Sequence, residues 1–124
     1  MHEFSVAQAI LDVVLRAAHK HGAKRVLEVT LEVGELSFLS LEQLEFSFKV
    51  LSEGTIAEGA ELKFEVRRAS IRCLRCGYEG EASAPEPESH LLPLAVQCPA
   101  CSSLETVILD GRGCVVRSIR AERS

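Results

Sequence analysis

Two closely spaced cysteine pairs, Cys73-Leu74-Arg75-Cys76 and Cys98-Pro99-Ala100-Cys101, constrain this chain more than any other feature. A two-residue spacer lets both thiolates of a pair approach one ion from a tight turn whose amides donate to sulfur, and two pairs complete a tetrahedron. A redox dithiol, a rubredoxin-like iron site and two disulfides compete with this reading. Two pairs without a thioredoxin-like βαβ setting favour a metal, and in a reducing cytosol zinc is the expected one. Four thiolates leave no coordination position open to water, so the expected ion is structural. Cys114 stands apart in a β-branched run, where a lone cysteine usually packs as a small hydrophobe.

The rest of the chain supplies a core. Ala7, Ile10, Leu11, Val14, Leu15 and Ala18 repeat at helical spacing, predicting a helix over 5–21 that opens on a Ser5/Gln8 capping box and stops at Gly22. Over 26–33 the period falls to two, with Leu27, Val29, Leu31 and Val33 opposite Glu28, Thr30 and Glu32, which predicts a half-buried strand. Ser40 and Gln43 open a second helix carrying Leu41, Leu44, Phe48 and Leu51, closed by Gly54. Leu62, Phe64 and Val66 mark another strand, and 114–120 a last one.

From Ile71 this alternation breaks, and the stretch 77–97 holds three of the chain's four prolines, a composition that suits loops and short hairpins around a metal. The expected fold class is α+β: a mixed three-stranded sheet with two helices on it, plus a small zinc-ribbon-like four-cysteine module. Residues 1–70 and 112–124 are expected to form the helix-sheet domain, and 71–111 the zinc domain. At 124 residues the chain is short for two independent cores, so the smaller module needs its metal staple.

A net charge of -4 argues against a nucleic-acid partner, because phosphate contacts require a basic face. No apolar run approaches the roughly 20 residues of a membrane span. The opening Met1-His2-Glu3 lacks the basic-then-apolar order of a signal peptide, so a cytoplasmic protein is expected. The sequence has no nucleophile–base pair, no phosphate-cradling glycine loop and no open metal site with a general base, and a non-enzyme is expected.

His2 adjoins the chain's amino group. The Met1 amine, the deprotonated His2 amide and the His2 imidazole can chelate through adjacent five- and six-membered rings, a planar nitrogen set suited to Ni(II) or Cu(II), with a further position for Glu3 or another histidine. Taken alone, an N-terminal Met-His pair is more often a frayed end without function. His19 and His21 fall at a helix C-terminus, where exposure is the default. His90, between the cysteine pairs, is either a second-site ligand or a loop residue.

Together, Met1-His2-Glu3, Val33-Gly34-Glu35-Leu36-Ser37, the second-helix region through Phe48 and the two cysteine pairs resemble the HypA/HybF family of hydrogenase nickel-incorporation proteins, in order and over nearly the whole chain. The resemblance implies a metallochaperone that binds nickel through its N-terminal segment and holds zinc with Cys73, Cys76, Cys98 and Cys101. It carries His2 over as the principal nickel ligand, with Met1 and Glu3 supplying backbone nitrogens or a carboxylate. It also implies a GTPase partner and delivery to the large subunit of nickel–iron hydrogenase, with urease maturation factors as further candidates. The alternative is a zinc-ribbon interaction module without nickel function, which would give Met1-His2-Glu3 no role and would favour basic, aromatic-rich loops; aromatic residues make up 5% here.

Overall fold

The computed structural model describes residues 2–83 and 96–123, without the side chain of His2. Helix α1 covers His2–Lys20, strand β1 Ala23–Gly34, a 3-10 turn Glu35–Ser37, helix α2 Leu41–Ser52 and strand β2 Glu61–Arg67. Strands β3 (Ser70–Cys73), β4 (Glu79–Glu81), β5 (Thr106–Asp110) and β6 (Cys114–Arg123) follow. The chain divides into two compact units, one of Met1–Glu32, Leu39–Glu65 and Cys114–Ser124, the other of Val33–Phe38 and Val66–Gly113.

In the first unit, two helices accompany a mixed three-stranded sheet in the order β2-β1-β6. The central strand β1 buries Val29 and Leu31 on the face that its period of two predicts, and α1 contributes Ala7, Ile10, Val14 and Ala18 to the core. Helix α2 adds Leu44 and Phe48 and packs along α1. Burial of a side chain as large as Phe48 contributes about 2–3 kcal/mol. On the wet side of the sheet, Glu28 of β1 pairs with Lys63 of β2 at 3.3 Å and with Arg120 of β6 at 3.5 Å.

The helix starts correct two expectations. α1 begins at His2, so Ser5 lies inside it and the Ser5/Gln8 box caps nothing. At α2 the Ser40 hydroxyl does accept the Gln43 amide, at 3.2 Å. The reciprocal half of that box comes from elsewhere: the Ser40 amide donates to Oε2 of Glu3 at 3.0 Å, so a carboxylate from α1's first turn takes the place of the Gln43 side chain.

The second unit is built on three short strands, of which β4 alone falls within 77–97 among the described residues. Strand β3 lies between β4 and β5, antiparallel to both, with an irregularity in its β5 register at Ser70/Ile71. Its core consists of Ile71, Cys73, Ala82, Val96 and Cys98, with Leu36, Tyr78 and Ile108 packed against them. The Val33–Phe38 segment is built into this unit by backbone. Gly34 N–H donates to Gly113 O at 2.8 Å, Leu36 N–H to Gly111 O at 2.7 Å, and Ala69 N–H to Oε1 of Glu35 at 2.8 Å. The approach is so close that a Cβ on Gly34 would lie 2.2 Å from the Gly111 carbonyl oxygen, which only glycine permits.

Candidate metal centre

Strand β3 ends at Cys73, and the chain turns at once. Gly77 N–H returns to Cys73 O at 3.1 Å, and Gly77 sits at φ +79°. The second pair repeats this turn, with Ser102 N–H donating to Cys98 O at 2.9 Å and Ser102 at φ +65°, a conformation that costs a non-glycine residue some energy. Each turn aims backbone amides at its first sulfur. Arg75 and Cys76 donate to Cys73 Sγ at 3.4 and 3.5 Å, and Ala100 donates to Cys98 Sγ at 3.3 Å. Cys73 N–H to Tyr78 O at 2.7 Å and Cys98 N–H to Ser103 O at 2.9 Å close the two loops.

The two turns bring all four sulfurs together, each within 4.8 Å of the others. Cys73 faces Cys101 and Cys76 faces Cys98, both at 3.6 Å, and all four are free thiols. These separations are far beyond a disulfide bond of about 2.0 Å. They match the edge of a tetrahedron around zinc, which for metal–sulfur bonds of about 2.3 Å is about 3.8 Å. Cys73 and Cys98 are buried, Cys76 and Cys101 exposed, so the cluster lies at the rim of the core.

The thiols hold one another in different protonation states. The Cys76 amide, then the Arg75 amide, keep the Cys73 thiol down at about 6 against the opposing effect of burial. The Tyr78 amide alone would lower Cys76, but burial and the three neighbouring cysteines outweigh it and push that thiol up to about 12. Four sulfurs this close cannot all carry negative charge without a cation among them, and a divalent ion supplies it.

The other candidate residues are not members of this cluster or lie outside the described residues. His2 is the first residue of α1, while Met1 and His90 lie outside the described residues. Glu3 is half-buried with its carboxylate on the Ser40 amide, so it is already engaged within the fold. His19 and His21 are exposed at the end of α1. Cys114, at the start of β6, is half-buried, and burial pushes its thiol up. Among the described residues, the four cysteines are the one group of three or more metal-binding side chains. The spacing of the cysteines reveals the sulfur ligands, but carries no signal for Leu36, which packs from a segment distant in sequence against the core that holds Cys73 and Cys98.

The family described as "Hydrogenase/urease nickel incorporation, metallochaperone, hypA" matches residues 1–121. The hydrogenase maturation factor HypA of Methanothermobacter thermautotrophicus is 48% identical over 123 residues, covering 99% of this chain and 98% of its own. The corresponding factor of Methanopyrus kandleri is 39% identical over 133 residues, covering 98% and 94%. Among solved structures, a HypA protein in solution aligns at a TM-score of 0.69 and 20% identity, covering 100% of this chain and 98% of that one. The solution structure of the nickel metallochaperone HypA from Helicobacter pylori aligns at 0.65 and 18%, covering 98% of both chains. At those identities the two structures speak for the fold alone.

Proposed function

This chain belongs to the HypA family of nickel-incorporation metallochaperones, and on that premise we propose that it binds Ni(II) through its N-terminal segment and, with a GTPase partner, delivers it to the large subunit of nickel–iron hydrogenase. The observation that carries the reading is the match over residues 1–121, which includes both Met1-His2-Glu3 and the four cysteines. Urease maturation factors are candidate further partners, and the proposed compartment is the cytoplasm. Among the described residues no helix is long and apolar enough to cross a membrane.

The two metals have different roles. Cys73, Cys76, Cys98 and Cys101 would hold a structural zinc, which supplies the positive charge that lets four crowded thiolates coexist and staples β3 to the 96–106 segment. Nickel is cargo. The His2 imidazole would anchor it, with the backbone nitrogens of the first residues completing a planar set. The helix geometry favours this arrangement: the first N–H groups of an α-helix have no intrahelical acceptor, so an amide nitrogen near His2 can release its proton to water and bind a metal in its place without breaking a helix hydrogen bond. Glu3 contributes through its backbone nitrogen more readily than through a carboxylate already bonded to Ser40.

Calorimetric nickel titration of untagged wild type, His2→Ala and a chain extended by one residue before Met1 tests the site. His2→Ala should lose most nickel affinity with zinc content unchanged, and the extended chain should weaken if the Met1 amine is a ligand. Equal affinity in all three would remove the N-terminal site and favour a zinc-ribbon interaction module.

A further inference from the structure

The four sulfurs are not equivalent. Each facing pair joins one buried sulfur to one exposed sulfur from the other turn: Cys73 with Cys101, and Cys98 with Cys76, both at 3.6 Å. The buried members are anchored by amides, Arg75 and Cys76 donating to Cys73 and Ala100 to Cys98. The exposed members are the first that a solute meets. Oxidation of cysteine follows thiolate character and exposure, and a cation among the four keeps all of them deprotonated. Each exposed thiolate therefore has a second, fixed thiolate within reach, which is the arrangement of an attacking and a resolving cysteine.

We propose that the cluster is also a peroxide-sensitive redox site, in which hydrogen peroxide oxidises Cys101 and Cys76, the facing Cys73 and Cys98 close disulfides between the two turns, and zinc is released. The inference rests on the zinc reading above and is independent of the nickel site. The Cys101 sulfur attacks one peroxide oxygen, the O–O bond breaks, and the departing hydroxide takes a proton to become water. Cys73 Sγ then attacks the sulfur of the Cys101 sulfenic acid. An S–S bond forms, the S–O bond breaks, and a second hydroxide leaves and is protonated. Two thiolates, one peroxide and two protons thus give one disulfide and two waters. Cys76 and Cys98 repeat the step with a second peroxide, leaving no thiolate to hold a dication.

The pairing between turns has a structural consequence. Cys73 and Cys101 are 28 residues apart and Cys76 and Cys98 are 22 apart, whereas the members of one turn are three apart. Closing the longer loops removes more freedom from the unfolded chain. These bonds also join β3 to the 96–106 segment, as the metal would, so the unit keeps its fold when zinc leaves. A dithiol reductant then returns four thiolates already in place for the ion.

The test uses the full-length, zinc-loaded protein with hydrogen peroxide as probe. About two equivalents should release about one zinc per chain, read with a chromogenic chelator. Trypsin cuts after Arg72 and Arg75, and a glutamate-specific protease after Glu79, Glu88 and Glu105, so Cys73, Cys76 and the Cys98/Cys101 pair fall on three peptides. The expected product joins all three, with fragmentation placing Cys73 on Cys101 and Cys76 on Cys98. A Cys73–Cys76 bond beside a separate Cys98–Cys101 loop overturns the proposal, as do bonds to Cys114, bonds between chains, or zinc retained after peroxide. NMR should show β3, β4 and β5 preserved in the oxidised, zinc-free protein and lost when a chelator strips the reduced protein; loss in both overturns the proposal too. A preparation without zinc before peroxide removes the zinc reading itself and this inference with it, so the two failures are told apart.

Discussion

The carboxylate of Glu3 accepts the backbone amide of Ser40 at 3.0 Å, across 37 residues of sequence. A side chain from the first turn of α1 thus completes the N-terminal cap of α2, where the helix dipole favours negative charge. Glu3→Ala should cost about 1.5–3 kcal/mol in urea denaturation, as expected for a hydrogen bond to a charged group. Glu3→Gln, which keeps an acceptor oxygen, should recover part of that. Ser40→Ala, which removes the other half of the cap, should cost about 1 kcal/mol.

The purified protein should carry about one zinc per chain, retained through dialysis. Cys98→Ala should release it and unfold β3, β4 and β5. The far-UV circular dichroism of α1 and α2 should persist, and NMR should retain the dispersed signals of β1 and β6. Global collapse in this variant would show that the two units do not fold separately.

Two glycine substitutions should separate steric from conformational cost. Gly34 has an ordinary φ of -71°, but a Cβ there would meet the Gly111 carbonyl oxygen at 2.2 Å, so Gly34→Ala should destabilise by about 3 kcal/mol or more. Gly22 has open space around it and φ +69°, so Gly22→Ala should cost only about 1 kcal/mol, the price of a left-handed alanine. Urea midpoints of the two variants measure the difference.

Acid should weaken the first sheet through Glu28. Its carboxyl is held below the ordinary glutamate range, first by the hydrogen bond from Lys63 and further by the charges of Lys63 and Arg120. A carboxylate depressed in the folded state contributes stability that is present above its unfolded value of about 4.3 and is lost as pH falls through the folded value. Glu28→Gln should therefore be less stable than wild type at pH 7, and the gap should narrow as pH falls below about 4.3. A gap that does not narrow in acid would assign the effect to packing instead.

Period and spacing make much of this architecture legible. Val29, Leu31 and Leu44 fall where a period of two or of 3.6 puts them, and the Ser40 hydroxyl caps α2 through a local signal. The cysteine pairs reveal their own clustering, because the two-residue spacer is itself the geometry of the turn. What escapes is non-local or too short to be periodic. The start of α1 at His2 accompanies a first-turn bond to Ser40, a residue that no local pattern links to it. Strand β3 buries Ile71 and Cys73 within four residues, too few to distinguish an alternating pattern from a loop. Gly34 looks like a strand terminator, and only the proximity of Gly111 shows why nothing larger fits.

Because both units are discontinuous in sequence, the order in which the chain leaves the ribosome bears on how each one closes. Val33–Phe38 is synthesised early, but its acceptors Gly111 and Gly113 are among the last residues of the cysteine unit to emerge. The helix-sheet unit waits longer still, because its outer strand β6 begins only at Cys114. Translation therefore completes the four-cysteine unit before the strand that finishes the first sheet, so zinc can be captured while the sheet is still open at that edge.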